Sequence, residues 1–376
     1  MKGLGRSGRS WPYVAVEDVG RLPHIVVDGS TNPTTVLTLS HWPHSPTPRR
    51  WAHDLSAGIV FNFLASRRGR GAFLASRQGG GAGAVACTND HFDQDGLMGI
   101  AALVRPEESW SMRTHLIDVA RAGDFASFAD RQAGRVSFAL AGLADPAITS
   151  LDPDLFARQV SGAGLAGRLY PAMLRILPDL LAHPDRYRAM WGEEDAAFEA
   201  SQQDLATGRV VVTEDPELDL AVVRVSTDVP RRRATRFSGP ADGPVHPAAL
   251  HRTTSCLRVL TIWGEHYELV FRYESWVKLS PRRGLPRVDM SPAVAELNAD
   301  EVSMSAKTTS GDPAALDRSG PWSFNGAGAL VAKMTTNPAS SLSPDHVLGC
   351  VRRHLLTAPI AWDPYRARPR PEAHGG

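Results

Sequence analysis

What most constrains this fold is the alternation, over the first 145 residues, of short β-rich apolar runs with stretches of helical period. Residues 23–28 (PHIVVD) and 34–40 (TTVLTLS) are β-branched and apolar enough to be buried strands. Residues 51–65 place Leu55, Ile59 and Phe63 four apart, on one face of a helix. A third short strand is expected at 84–88 (AVACT), followed by a buried helix at 97–104 (LMGIAALV). Helical patterns then cover 106–121 and 126–143, separated by Gly123-Asp124. This alternation of strands and helices is the signature of a mostly parallel α/β sheet. The sequence therefore predicts an α/β domain with a mostly parallel sheet over residues 1–150.

Beyond it, 152–205 is helical in pattern throughout, and 151–207 is read as a helical connector. Residues 208–226 read as two strands about Glu214-Asp215-Pro216. Residues 257–263 and 267–277 read as two more, around a Gly264-Glu265-His266 turn, with helices at 291–297 and 345–356. This predicts a smaller α+β domain over 208–365, followed by a Pro- and Arg-rich tail at 366–376 without structure. The Arg/Gly-rich stretch 67–83 reads as a flexible loop.

Composition excludes several classes. Forty-three percent of the 376 residues are hydrophobic, which rules out global disorder. Forty-one basic and 40 acidic side chains give a net charge of +1, so no basic field draws nucleic acid. The aromatics show no spacing suited to base stacking. The three cysteines lie far apart, against a disulfide framework or a cysteine-based zinc site. No apolar run is long enough to span a bilayer, and no apolar segment follows the basic N-terminus. A cytoplasmic protein is expected.

The strongest local signal is His91-x-Asp93-x-Asp95-Gly96, at the end of a predicted strand and the start of a predicted helix. An imidazole and two carboxylates at alternate positions of a tight loop can converge on one cation, and this donor set suits Mn²⁺, Fe²⁺ or Zn²⁺. Gly96 would let the backbone turn behind them. In an open parallel sheet, ligands bind at the carboxyl ends of strands. An EF-hand is excluded, because its twelfth position would be Ala102 where a bidentate glutamate is needed. The alternative is a solvated acidic turn that caps a helix, for which Asp95 by itself could suffice.

The run CTNDHFDQDGLMGIAAL around this loop resembles the first motif of the DHH phosphoesterase superfamily: a strand, His-x-Asp-x-Asp-Gly, then a helix. The resemblance implies that His91, Asp93 and Asp95 bind manganese. The superfamily's Asp-His-His tripeptide does not occur in this chain. More widely, LTLSHWPHSPTP, NDHFDQDGLMGIAALV, IDVARAGDF, and RYESWV followed by PRVDM resemble an uncharacterised actinobacterial family of unknown function.

Further ligands are sought in Asp118 and Asp124 of LIDVARAGDF and in His41 and His44 after the second strand. Asp124 follows Gly123 at an expected helix break and could equally cap the next helix. His41 and His44 reach the same sheet edge as His91 if their strands are neighbours; otherwise they are turn histidines. In the second half His251, Arg252, Arg258, Arg272 and the Arg282-Arg283 pair could meet a phosphate or carboxylate of a substrate, since guanidinium forks grip such groups bidentately. The alternative for Arg272 is a solvent-facing strand position. Gly162-Ala-Gly164-Leu-Ala-Gly167 fits a dinucleotide fingerprint, but a helical pattern precedes it where a strand is required, so it reads as helix packing.

The expected activity is a divalent-metal-dependent hydrolase of a phosphoester or other anionic small molecule. Asp95 and Asp124 are its candidate catalytic carboxylates, and Asp95 would bridge a pair of ions. Manganese is the first choice of metal, with Mg, Fe and Zn as alternatives; His44, Arg252, Arg258 and Arg272 would bind substrate. The competing expectation is a non-catalytic protein that binds a small anion or a protein on a degenerate DHH-like scaffold. The two separate on whether a second carboxylate–imidazole cluster lies within ~4 Å of the first.

Overall fold

The computed structural model describes residues 10–68, 83–156, 162–236, 239–308 and 320–366. The expected loop at 67–83 and tail at 366–376 therefore fall almost entirely outside the described residues. The chain divides into two compact units. The first comprises residues 1–198, 233–242 and 279–282, and the second holds the remainder.

The first unit is built on three strands, β1 (His24–Val27), β2 (Thr35–Leu39) and β3 (Ala86–Thr88). They form a parallel sheet in the order β2-β1-β3. All four residues of β1 are buried, as a central strand covered on both faces requires. The chain runs from β1 to one side and returns to the other, so β1 and β3 flank a switch point in strand order. Helix α1 (Ser56–Arg68) follows β2, and α2 (Gln94–Val104) follows β3. Helix α2 is buried without interruption from Asp95 to Leu103, which explains its lack of a polar face.

Two helix boundaries differ from the sequence reading. The helix expected over 106–121 breaks at Met112 into α3 (Pro106–Ser111) and α4 (Arg113–Phe125). The break expected at Gly123-Asp124 is instead at Ala126, whose φ of 45° ends α4 before α5 (Arg131–Ala144). Gly123 stays helical and accepts the side chain of Gln94, which a Cβ there would meet at 2.7 Å.

The segment expected as a connector is largely core of the first unit. Helix α6 (Gly162–Ala182) stacks Tyr170 on Tyr13 at 4.7 Å, and α7 (Arg188–Ala206) sets Phe198 against Phe128 at 5.2 Å. Asp195 of α7 receives Arg131 and Arg135 from α5. The glycine pattern at 162–167 lies at the start of α6; a Cβ on Gly167 would lie 3.0 Å from Ala15, so Gly167 serves packing, whereas one on Gly162 would meet nothing within 4 Å.

The second unit carries the antiparallel strands β4 (Val210–Asp215) and β5 (Leu220–Val225). A ribbon, β6 (Arg232–Arg236) with β7 (Gly239–Gly243), groups almost wholly with the first unit, and the second unit resumes with α8 (Pro247–Thr253). Strands β8 (Arg258–Trp263) and β9 (His266–Phe271) follow, then β10 (Arg287–Val288) and α9 (Ser291–Thr308). Strands β11 (Trp322–Phe324) and β12 (Ala332–Thr336), α10 (Pro344–Thr357) and β13 (Ile360–Trp362) complete the order. Six strands pair as β11-β12-β9-β8-β5-β4, with β5 and β8 parallel and the other neighbours antiparallel. Alternation sorts their side chains. Leu220, Val222, Leu260, Leu269 and Phe271 face one core with Leu297 and Val351, whereas Ala221, Val223 and Val259 face another with Leu250. Among the described residues no helix is long and apolar enough to cross a membrane.

Phe271 is fully buried in the larger of these cores. Phe271→Ala should lower stability by about 3–5 kcal/mol through lost contact and a residual cavity. Urea denaturation followed by circular dichroism measures this, and a loss below about 1 kcal/mol would contradict the packing described.

Candidate metal centre

Four carboxylates and two imidazoles meet at the carboxyl edge of the three-stranded sheet. Asp28 follows β1 directly, with a left-handed φ of 50° that aspartate tolerates better than most residues. Its amide still bonds to Leu39, so the strand edge holds the turn in place. His41 stands two residues past β2, and His91, Asp93 and Asp95 follow β3. Asp124 reaches the same point from the last turn of α4. Asp28, His41, Asp95 and Asp124 are buried, and Asp93 nearly so. The His91 side chain is 35% exposed and is the solvent-facing member of the group.

His41 Nε2 lies 3.4 Å from Asp28 Oδ1, 3.5 Å from Asp124 Oδ2 and 3.9 Å from Asp95 Oδ2. His91 Nε2 lies 2.9 Å from Asp93 Oδ2 and 3.5 Å from Asp28 Oδ2. Two trios, Asp28–His41–Asp95 and Asp28–His91–Asp93, each offer three donor atoms within 4.8 Å of one another, and Asp28 belongs to both.

The surroundings aim these side chains. His41 Nδ1 donates to the Asp54 carbonyl, which leaves Nε2 directed at the carboxylates. His91 Nδ1 is held by Asp90 at 3.0 Å, and Asp90 is anchored by the Ser30 amide. An acceptor behind each imidazole is the arrangement that orients metal-binding histidines. Asp93 caps α2: its Oδ1 accepts from the Gly96 amide at 2.8 Å while Oδ2 faces His91. Asp95 accepts from the Ser56 and Ala57 amides at 2.6 and 2.8 Å, where its charge meets the first turn of α1. The Ser56 hydroxyl donates to Asp28 Oδ1 at 2.6 Å and accepts from the His41 amide.

So many carboxylates removed from water cannot all remain ionised without cations or protons. Burial, reinforced by the charges of Asp93 and Asp95, pushes the Asp28 carboxyl up to about 7. Burial and the Asp93 charge push Asp95 up to about 7 against the pull of the α1 amides. Burial and its acidic neighbours raise Asp124 well above the usual carboxylate range. Burial alone would raise Asp93, but the His91 charge and hydrogen bond and the Gly96 amide hold it below its ordinary value. Burial alone would lower His91; the charge of Asp93 and the hydrogen bonds that Asp28, Asp90 and Asp93 accept raise it well above its ordinary value. Oxygen and imidazole donors in this ratio fit Mn²⁺, Fe²⁺ or Zn²⁺, and the buried Asp28 Oδ2 faces His91 Nε2 at 3.5 Å.

The structure thus gathers His91, Asp93, Asp95, Asp124 and His41 and adds Asp28, which the sequence reading missed. The available signal was a lone aspartate at the carboxyl end of an apolar strand. Asp118 does not join them. It lies six residues before Asp124 on a continuous helix, roughly 240° around the axis. Its carboxylate instead receives the amides of Ala129 and Asp130, holding the turn into α5. Gly96 is required for space rather than for a turn: it is helical, and a Cβ would lie 2.2 Å from Asn89 Nδ2 and 2.5 Å from Tyr170 Oη.

The remaining candidates take other places. His44 is exposed in the turn after β2, at φ 66°, and belongs to neither trio. Arg258 is buried and donates to the Leu218 carbonyl at 2.7 Å. Arg272 lies beyond the end of β9, buried, bonded to Glu274 and to the carbonyls of Thr254 and Cys256. These two guanidinium groups tie backbone together rather than face an open anion site. Arg252 is exposed in the last turn of α8.

The chain belongs to a family of unknown function, DUF6687, whose model matches residues 9–366. No curated protein and no solved structure matches it.

The raised groups set a pH dependence for the metal-free protein. Asp28 and Asp95 hold protons more tightly folded than unfolded, so their contribution is full below about pH 4 and lost as pH rises through about 7. His91 acts in the same direction, its contribution full below its ordinary value and lost as pH rises through its raised folded value. Asp93 opposes them only at acid pH. In chelator, the melting temperature should fall between about pH 5.5 and about pH 8, and added Mn²⁺ should reverse the trend because the cation replaces protons. Differential scanning calorimetry tests this; a metal-free melting temperature that climbs over that range would contradict it.

Proposed function

We propose that this protein is a divalent-metal-dependent hydrolase of a phosphoester or a similar anionic small molecule, with two cations held by the cluster. The observation that carries the reading is Asp28, which turns Oδ1 toward His41 and Oδ2 toward His91. One carboxylate thereby serves two donor trios, as a bridge between paired ions does. This role was expected of Asp95, but both Asp95 oxygens are engaged by α1 amides. In this reading the parallel-sheet unit is a DHH-like scaffold in which Asp28, His41 and Asp124 supply the further ligands that the missing tripeptide would bring.

Bound divalent ions would polarise the scissile group and lower the pKa of a water nucleophile. The chain's own residues do the positioning. Asp54 and Asp90 fix the imidazole rings, while the α1 and α2 amides fix Asp95 and Asp93. The Asp28–His41–Asp95 trio is wholly buried, whereas the Asp28–His91–Asp93 trio opens to solvent through His91. Substrate is therefore assigned to the His91 side, with manganese as the first choice of ion and Mg, Fe or Zn as alternatives.

A second reading, a non-catalytic protein that binds a small anion or a protein, draws on the missing Asp-His-His tripeptide. Elemental analysis of protein purified without chelator, followed by assays on phosphomonoesters and phosphodiesters with Mn²⁺, separates the two. The expected outcome is about two ions per chain at this cluster and metal-dependent turnover. Asp28→Asn should lose both ions, and His91→Ala should lose one. Full metal retention in Asp28→Asn and Asp95→Ala overturns the metal assignment, and metal binding without turnover on any ester favours the second reading.

A further inference from the structure

We propose a second, separate metal site in the second unit, a zinc-binding clasp between α9 and α10 formed by Glu296, Cys350 and His354. Each offers one donor atom, and the three atoms lie within 4.8 Å of one another. The sequence reading set aside a cysteine-based zinc site because no two cysteines are close. The structure shows a different route to one. Cys350 and His354 stand four apart on α10, so their side chains stack on one helix face, and Glu296 meets them from α9.

The packing explains how they meet. Helix α10 buries Val347, Cys350, Val351 and Leu355, and α9 places Ala293 and Leu297 in the same core. Glu296 and His354 lie at the rim of that contact, half-buried, one position before Leu297 and Leu355. Cys350 is 1% exposed, beneath them. A cation entering from the rim would therefore find the thiol below and the imidazole and carboxylate above.

The donor set is that of zinc: a thiolate, an imidazole and a carboxylate, with a water completing four-coordination. His354 Nε2 and Glu296 Oε2 are 2.8 Å apart, and a cation between them would take the place of their hydrogen bond. Tetrahedral ligands at about 2.0–2.3 Å from zinc stand somewhat further apart than that, so the pair opens slightly while the sulfur closes in. Arg353 donates to Glu296 Oε1, which leaves Oε2 directed at His354 and the thiol. This is the outer support that a ligating carboxylate usually has. The neighbouring pair of the same two helices, His346 with Asp300 at 2.7 Å, is in none of the three donor trios and serves as the contrast.

Sulfur makes the site testable apart from the cluster of the first unit, whose donors are all oxygen and nitrogen. The full-length protein is stripped of metal and titrated with Co²⁺, which reports a coordinated thiolate by a ligand-to-metal charge-transfer band in the near ultraviolet. Zinc binding is then measured by elemental analysis. The expected result is a thiolate band in the wild type and in Asp28→Asn. The band should vanish in Cys350→Ala and in His354→Gln, with about one equivalent of zinc lost in each. His354 is only partly buried, so His354→Gln keeps the test valid if Cys350→Ala disturbs the core. Circular dichroism verifies that each variant is folded. Absence of the band in the wild type, or its persistence in folded His354→Gln, overturns the proposal.

Discussion

The first unit depends on how a small volume at the end of a parallel sheet tolerates four carboxylates out of water. Ordinary protein interiors exclude such a concentration of negative charge, because desolvation and mutual repulsion act together. Here the opposition is met from several directions at once. The first turns of α1 and α2 present backbone N–H groups to Asp95 and Asp93, Ser56 donates to Asp28, and the two imidazoles enter between the acids. Removing any one support leaves the others with more uncompensated charge. The strands, the starts of two helices and the end of a third are thus tied by electrostatics as much as by apolar packing.

Much of the first unit was legible because its strands are short, β-branched and separated by helical patterns. Helix boundaries were less so. Glycine at position 123 suggested a break, yet a glycine inside a helix costs only about 1 kcal/mol. The packing of Gln94 onto it makes the missing side chain useful. That boundary shift decided the site, because continuous helix lets only one of Asp118 and Asp124 face the cluster. The grouping of residues 151–198 with the first unit was not legible for a related reason. Helical period is visible in sequence, whereas the partner of the apolar face is not, and α6 directs Tyr170 into the first unit.

The loop that holds His91, Asp93 and Asp95 stood out because its polar residues are adjacent in sequence. Asp28 did not, since it ends an apolar strand and meets its partners only through strand pairing. The arginines of the second unit illustrate the converse. Arg258 and Arg272 carry the right chemistry for anion recognition, but their immediate partners are backbone carbonyls and a buried glutamate. Residue type indicates what a side chain can bind, and tertiary context determines what it does bind.

Asp95 acts as a ruler as well as an acid. Its single methylene sets the gap between the first turn of α2, on which it rides, and the opening amides of α1, which it holds. Glutamate would preserve the charge and overshoot that gap, driving the two helices apart or swinging the carboxylate off the ring of His41. Length, and not acidity alone, therefore defines this position, and two equally charged residues would be unequal tenants of it.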